Sequence, residues 1–147
     1  MNPKNKICFL HIGVPKTGST ALEKFLLHNR DALKKHGWKY PDVSIRGSGH
    51  HDLAFLIGGD YPKWATPQDR PLEDIVGELL YKVAECDRMI LSSENFYLYP
   101  RPAKTEKILT QAGFPAENVK VIVYVRRQDE ILMSWYNQAV KAQGYTG

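Results

Sequence analysis

The chain has 147 residues, a length that fits one domain with a single hydrophobic core. Its 43% apolar and 24% charged residues are typical of a globular protein and argue against a disordered or fibrous chain. The formal net charge of +4 is spread along the sequence. Because nucleic-acid binding usually needs a basic stripe or arm, this pattern argues against such a partner.

Neither a membrane span nor a leader peptide is evident. No stretch approaches the ~20 apolar residues that a transmembrane helix requires, and the N-terminal segment MNPKNK lacks the apolar core of a signal peptide. Cys8 lies in an apolar strand pattern and Cys86 near a predicted helix end, with no CxxC spacing. We therefore expect a cytoplasmic protein in which both cysteines are reduced and structural.

The first elements are a strand, a turn and a helix. Residues 6–13, KICFLHIG, form an almost continuous apolar run, as expected for a strand covered on both faces. An apolar stripe with i, i+3, i+4 spacing predicts a helix over 18–29, and Thr20 and Glu23 have the spacing of a capping box. The segment NRDALKKHG continues or restarts that helix until Gly37, and WKYP predicts a short edge strand.

Residues 42–66 are rich in glycine and proline and predict a long excursion, with a short helix around LAFLI. A helix over about 68–86 follows, since apolar residues repeat there at helical spacing for more than three turns. A second buried strand is predicted in RMILSSENF. A helix in RPAKTEKILTQAGFP follows it and is stopped by Gly113 and Pro115.

A third buried strand, VKVIVYV at 119–125, leads into a final helix in RRQDEILMSWYNQAVKAQG. This alternation of apolar strands and helices predicts an α/β domain of three layers, with a central parallel sheet between helices. Ligands of such sheets bind beyond the carboxyl ends of the strands. Three polar segments fall there: the turn at 13–20, SSEN at 92–95 and RRQD at 126–129.

The turn HIGVPKTGST, between the first strand and the first helix, has the composition of an anion-binding turn. Gly13 and Gly18 relieve backbone crowding, the amides of 17–20 converge at a helix start, and Lys16 supplies a cation. The Walker motif of nucleotide triphosphatases places its lysine directly after the second glycine, whereas Lys16 comes two residues before Gly18. A tight strand-to-helix turn without a ligand is the alternative interpretation.

The segment PKTGST resembles the first-strand turn of sulfotransferases that use 3′-phosphoadenosine 5′-phosphosulfate (PAPS). That family has a second signature, a strand that ends in arginine and a helical serine eight residues later, which together hold the 3′-phosphate. Here VIVYVRRQDEILMSWY places Arg126 at the end of a predicted strand and Ser134 eight residues on. The chain is thus similar to this family over about 40 residues, 7–27, parts of 88–96 and 119–136.

The resemblance implies a P-loop-like sulfotransferase fold and transfer of a sulfuryl group to a hydroxyl or amine. Lys16 would neutralise the bridging oxygen as the bond to sulfur breaks, and Arg126 and Ser134 would hold the 3′-phosphate. No metal is implied, and the acceptor would be a small molecule or a saccharide. The resemblance assigns the 5′-phosphosulfate to Pro15, Lys16, Thr17, Gly18, Ser19 and Thr20.

The acceptor also needs a general base, which in this family is a histidine or a glutamate at varied positions. His50 and His51 follow a glycine-flexible loop, and histidine titrates near working pH. Glu94 comes at the carboxyl end of the second strand, where functional groups collect. The three residues are therefore alternative candidates.

Two features depart from the family pattern. Some members place a tryptophan directly after the turn, to stack on adenine. The chain has Ala21 there, so Trp38 or another aromatic would replace it. The basic, glycine-containing C-terminal loop of the family is absent, so we expect residues 1–147 to be one domain without that part. A P-loop kinase using ATP and magnesium and a non-catalytic nucleotide-binding module are the alternative functions.

Overall fold

Three parallel strands form the centre of the molecule. The computed structural model describes residues 6–142, in which β1 is Ile7–His11, β2 is Arg88–Ser92 and β3 is Val119–Ile122. The strand order is β2-β1-β3, and both pairings are parallel. The prediction of an α/β fold with a parallel sheet is confirmed. The finer prediction of a sulfotransferase-type fold stays a prediction. The expectations about a leader peptide and about the C-terminal loop fall partly on residues 1–5 and 143–147, which lie outside the described residues.

Helices occupy most of the remaining chain. Gly37, at φ 77°, ends the second helix as expected, and Trp38 donates its N–H back to the Leu33 carbonyl at 2.9 Å. The helix expected over 68–86 is shorter, since it begins after Pro71 and ends at Val83. The helices are α1 Ser19–His28, α2 Arg30–Lys35, α3 His51–Gly58, α4 Leu72–Val83, α5 Asn95–Leu98, α6 Pro102–Gln111 and α7 Gln128–Ala142, with a 3₁₀ turn at Ala116–Asn118.

The core is built from one face of the sheet and the helices against it. Cys8 and Leu10 on β1 stand in register with Met89 and Leu91 on β2, so their side chains share one face. All four are buried, and they join one cluster with apolar residues of α3, α4 and α6. The cysteines are buried and unpaired as expected, and burial raises the pKa of Cys8 to about 12.

The edges of the sheet differ from the sequence prediction. WKYP contributes an isolated parallel bridge, in which Lys39 pairs with Met89 beside β2. The strand predicted over 119–125 ends at Ile122, and the prediction that it is buried on both faces is wrong. Val121 is 59% exposed and Val125 is 79% exposed. A run of β-branched residues indicates a strand, but burial of its side chains depends on helices from distant parts of the chain. Among the described residues, this edge strand stays partly exposed.

The topology places a ligand crevice at one edge of the sheet. The chain passes from β1 to β2 on one side of β1 and then returns to β3 on the other side. Such a reversal opens a crevice beyond the carboxyl ends of the two strands where the connections diverge, which here are β1 and β3. The segments that leave these strands are the turn at 13–18 and the segment that carries Arg126.

Candidate functional site

A tight turn joins β1 to α1. Three of its residues, Gly13, Lys16 and Gly18, have positive φ values of 47°, 67° and 91°. For a residue with a side chain this conformation is strained, and such strain is typical of binding sites, so Lys16 is notable. Gly18 is the N-cap of α1, and the first amides of a helix have no acceptor within it. The turn therefore presents backbone N–H groups and the positive end of a helix to an anion.

The hydroxyl groups of the turn have different roles. Thr17 donates its hydroxyl to the Val14 carbonyl at 2.6 Å, which stiffens the turn. Ser19 is buried and donates to Glu94 Oε2 at 3.4 Å. Thr20 is exposed, whereas Pro15 is buried at the base of the turn. Thr20 is thus the hydroxyl of the turn with the freest access to a ligand.

Arg126 and Ser134 lie on the same cleft as Lys16. This cleft has a volume of about 620 Å³, and all three residues line it. The Arg126 guanidinium donates to the Lys16 carbonyl at 3.4 Å and to Glu130 at 2.6 Å, which ties the end of the β3 segment to the turn. The structure therefore brings Lys16 together with two residues that lie 110 or more positions later in the sequence.

A second cleft, of about 500 Å³, opens between α1 and the loop that precedes α3. A third cleft, of about 530 Å³, lies at the turn itself and is lined by Lys16, Gly18 and Trp135 among others; we call it the opening around the turn. The second cleft shares Thr20, Trp64 and Glu94 with it. These three residues therefore form a common wall. An anion held by the turn and a molecule held in the second cleft would meet at that wall.

The adjacent histidines lie in different environments. His50 is fully buried, donates its Nε2 hydrogen to the Pro41 carbonyl at 2.9 Å and accepts the Ser92 N–H at Nδ1 over 3.2 Å. Burial lowers the pKa of His50 to about 4, against smaller opposing effects that include these two hydrogen bonds. Its ring is neutral at neutral pH and joins the loop before α3 to β2. Both ring nitrogens are thus occupied within the fold.

His51, in contrast, is partly exposed and lines the second cleft. Its Nδ1 lies 2.7 Å from the Ser93 hydroxyl and 3.0 Å from the side-chain amide of Asn95. Its Nε2 lies 3.4 Å from Oε2 of Glu23. Both histidines have polar partners at both nitrogens, but His50 is fully buried and His51 is partly exposed at a cleft, so His51 is the one that can meet a ligand.

Glu23 has a different role from the one that its spacing predicted. The capping box with Thr20 is wrong, because α1 begins at Ser19 after the N-cap Gly18 and has no side-chain cap among the described residues. Glu23 is instead buried, and its carboxylate accepts a hydrogen bond from Ser92 at 3.0 Å. No local pattern indicated this contact, since the two residues are 69 positions apart.

Glu94 lies at the common wall of the second cleft and the opening around the turn. It follows β2, as the sequence indicated, and lines both the opening around the turn and the second cleft. Its carboxylate accepts the Ser19 hydroxyl at 3.4 Å. Glu94 and His51 therefore both line the second cleft.

The aromatic residues near the turn were not identified from the sequence. Trp38 stacks on Phe9, with ring centroids 4.8 Å apart, and lines a separate groove. Trp64 and Trp135 line the opening around the turn, and they are 71% and 47% exposed. Trp135 follows Ser134 directly, so the signature that located Ser134 could also have located it.

Between residues 6 and 142 no helix has both the length and the apolar character for crossing a bilayer. Within the same range, no three or more histidine, cysteine, aspartate or glutamate side chains gather in a geometry that could hold a metal ion.

Comparison of the chain with protein-family models, with curated proteins and with solved structures found no match. The functional assignment therefore depends on the residues and their geometry.

Proposed function

We propose that the protein is a sulfotransferase that moves a sulfuryl group from PAPS to a hydroxyl or amine of a small molecule or saccharide. The observation that carries the proposal is the single cleft lined by Lys16, Arg126 and Ser134. Two cations and a hydroxyl at this edge of the sheet suit a ligand with two separate phosphate groups. The fold proposed with it is the P-loop-like sulfotransferase fold.

The turn would hold the 5′-phosphosulfate. Backbone amides of residues 17–20 would donate to its oxygens, and Thr20 would add a hydroxyl. Lys16, which lines the cleft that it shares with Arg126 and Ser134, would neutralise the oxygen that bridges phosphorus and sulfur. Charge at that oxygen grows as the bond to sulfur breaks, so Lys16 would act most strongly in the transition state.

Arg126 and Ser134 would hold the 3′-phosphate and so aim the donor. Arg126 now donates to Glu130 at 2.6 Å, and α7 carries Ser134 on the same cleft. An arginine fork binds a phosphate through two parallel hydrogen bonds, which fixes orientation as well as affinity.

The acceptor would enter the second cleft and reach the donor at the wall of Thr20, Trp64 and Glu94. Its oxygen or nitrogen would form the new bond to sulfur while the bond from sulfur to the bridging oxygen breaks. The departing 3′,5′-bisphosphate would keep that electron pair. The acceptor proton would pass to His51, which lines this cleft. Glu94 is the second candidate base.

Calorimetric titration with 3′-phosphoadenosine 5′-phosphate, with ADP as the control and magnesium absent, tests the donor site. Tight binding that needs the 3′-phosphate is the expected result, followed by sulfuryl transfer from PAPS to a panel of hydroxyl and amine acceptors. Magnesium-dependent ATP hydrolysis with no preference for the 3′-phosphate would replace the proposal with a P-loop kinase. Nucleotide binding without transfer to any acceptor would point to a binding module.

A further inference from the structure

Glu23 is a buried carboxylate next to the proposed base. It is 2% exposed, and both of its oxygens have polar neighbours: Ser92 on Oε1 and His51 on Oε2. A Cβ added to Gly49 would lie 2.7 Å from this carboxylate, so the loop before α3 packs directly on it. Burial of a carboxylate is unfavourable unless it is hydrogen-bonded. The Glu23 carboxylate is thus tightly packed and has polar neighbours on both oxygens.

The Ser92 side of this network has only one arrangement of hydrogens. The Ser92 hydroxyl donates to Glu23, and its oxygen lies 2.7 Å from Nδ1 of His11. Because a hydroxyl has one hydrogen, His11 must donate through Nδ1. Burial lowers the pKa of His11 and Glu23 opposes this effect, which agrees with a neutral His11 ring. Oε1 of Glu23 therefore accepts the hydrogen bond from Ser92.

Oε2 of Glu23 then favours one tautomer of His51. A carboxylate oxygen only accepts hydrogen bonds, so its position 3.4 Å from Nε2 of His51 favours the form of the ring that carries a hydrogen on Nε2. This leaves a lone pair on Nδ1, which lies near the Ser93 hydroxyl and the Asn95 amide. Both partners can reorient: the Ser93 oxygen and the Asn95 carbonyl oxygen can accept a hydrogen from Nδ1. The surroundings of His51 therefore suit the ring before and after it takes a proton.

We infer that Glu23 is a positioning residue for His51: it fixes the tautomer with the Nε2 hydrogen and stabilises the imidazolium formed when Nδ1 takes the acceptor proton. This inference rests on the proposed function, in which His51 is the base. Glu23 borders the same cleft but is almost fully buried, so its role is to act through His51. A carboxylate that orients a catalytic histidine has the same role in the serine hydrolase triad.

The variant Glu23→Gln tests the inference sharply, because glutamine keeps the shape but offers a single acceptor oxygen. If that oxygen accepts from Ser92, the amide nitrogen faces Nε2 of His51 and forces the hydrogen to Nδ1. Nitrogen-15 NMR of the neutral ring is expected to show the Nε2–H tautomer in the wild type and the Nδ1–H tautomer in the variant. The kcat for sulfuryl transfer is expected to fall by roughly 10²–10⁴-fold. Affinity for 3′-phosphoadenosine 5′-phosphate is expected to stay within about threefold.

Glu94→Gln is the matched control, since it neutralises another carboxylate of the same cleft and is expected to leave the tautomer of His51 unchanged. An Nδ1–H tautomer in the wild type would overturn the inference even if the Glu23→Gln protein did not fold. Unchanged kcat in Glu23→Gln would overturn it as well. If the wild-type protein did not bind the nucleotide, the proposed function would be refuted instead. The tautomer of His51 would still show whether Glu23 acts on that ring.

Discussion

The burial of His50 predicts a specific dependence of stability on pH. Its pKa is about 4 in the folded protein, against an ordinary value of 6.5, so the folded ring stays neutral while the unfolded ring takes a proton below pH 6.5. Stability is therefore fully present above that pH and is lost as the pH falls toward 4. A difference of about 2.5 pKa units, at 1.36 kcal/mol per unit, corresponds to roughly 3 kcal/mol.

Urea unfolding followed by tryptophan fluorescence, at pH values from 7 to 4, measures this loss. In His50→Gln the ring no longer titrates, while the glutamine amide can still donate to the Pro41 carbonyl. We expect the variant to be less stable at pH 7 but to lose roughly 3 kcal/mol less than the wild type on acidification. His36→Gln removes an exposed imidazole and is expected to keep the wild-type pH dependence. Equal losses in the wild type and in His50→Gln would refute the reasoning.

Three further predictions concern the donor site. Lys16→Ala is expected to lower kcat for sulfuryl transfer by roughly 10²–10³-fold with a much smaller effect on nucleotide affinity, because the charge acts most in the transition state. Steady-state kinetics measures kcat and calorimetry measures the affinity. Equal losses in kcat and in affinity would contradict this role. Arg126→Ala is expected to weaken binding of 3′-phosphoadenosine 5′-phosphate by roughly 10–100-fold and to leave ADP binding unchanged, since it removes charged hydrogen bonds. Arg127→Ala is its matched control, because Arg127 pairs with Asp129 and does not line the cleft. Trp135→Ala is expected to weaken both nucleotides by roughly tenfold through lost stacking on adenine, and affinity equal to the wild type would exclude that contact.

Local sequence patterns were sufficient for the elements around the turn. The apolar run of β1, the glycines of the turn and the stripe of α1 lie within about 25 residues, and each one depends on backbone preferences and on the burial of one face. The signature of Arg126 and Ser134 is also local, because a strand end and the following helix fix the two positions. The parallel sheet followed from the alternation of such elements.

Contacts between distant segments could not be obtained in this way. His50 and His51 are neighbours in sequence, yet one is buried against Pro41 and Ser92 and the other lines a cleft. The glycine-rich loop before the two histidines indicates flexibility and does not say which imidazole is buried. Only the packing of the start of α3 against the end of β2 decides that His50 turns inward. The Glu23 contact was missed for the same reason: its spacing from Thr20 matched a local rule, but a buried partner 69 residues away determined its place.

The sequence by itself determined the turn with Lys16, the strand-end arginine with its helical serine, and the α/β class, because each is encoded in a short segment with its own backbone geometry. Only the tertiary structure decided that Lys16, Arg126 and Ser134 share one cleft, that Trp135 rather than Trp38 lies near the turn, and that Glu23 faces His51. These outcomes depend on burial and on hydrogen bonds between distant segments, such as the one from Arg126 to Lys16 across 110 positions. Such contacts form only when the strands assemble and the carboxyl ends of the sheet bring their segments together.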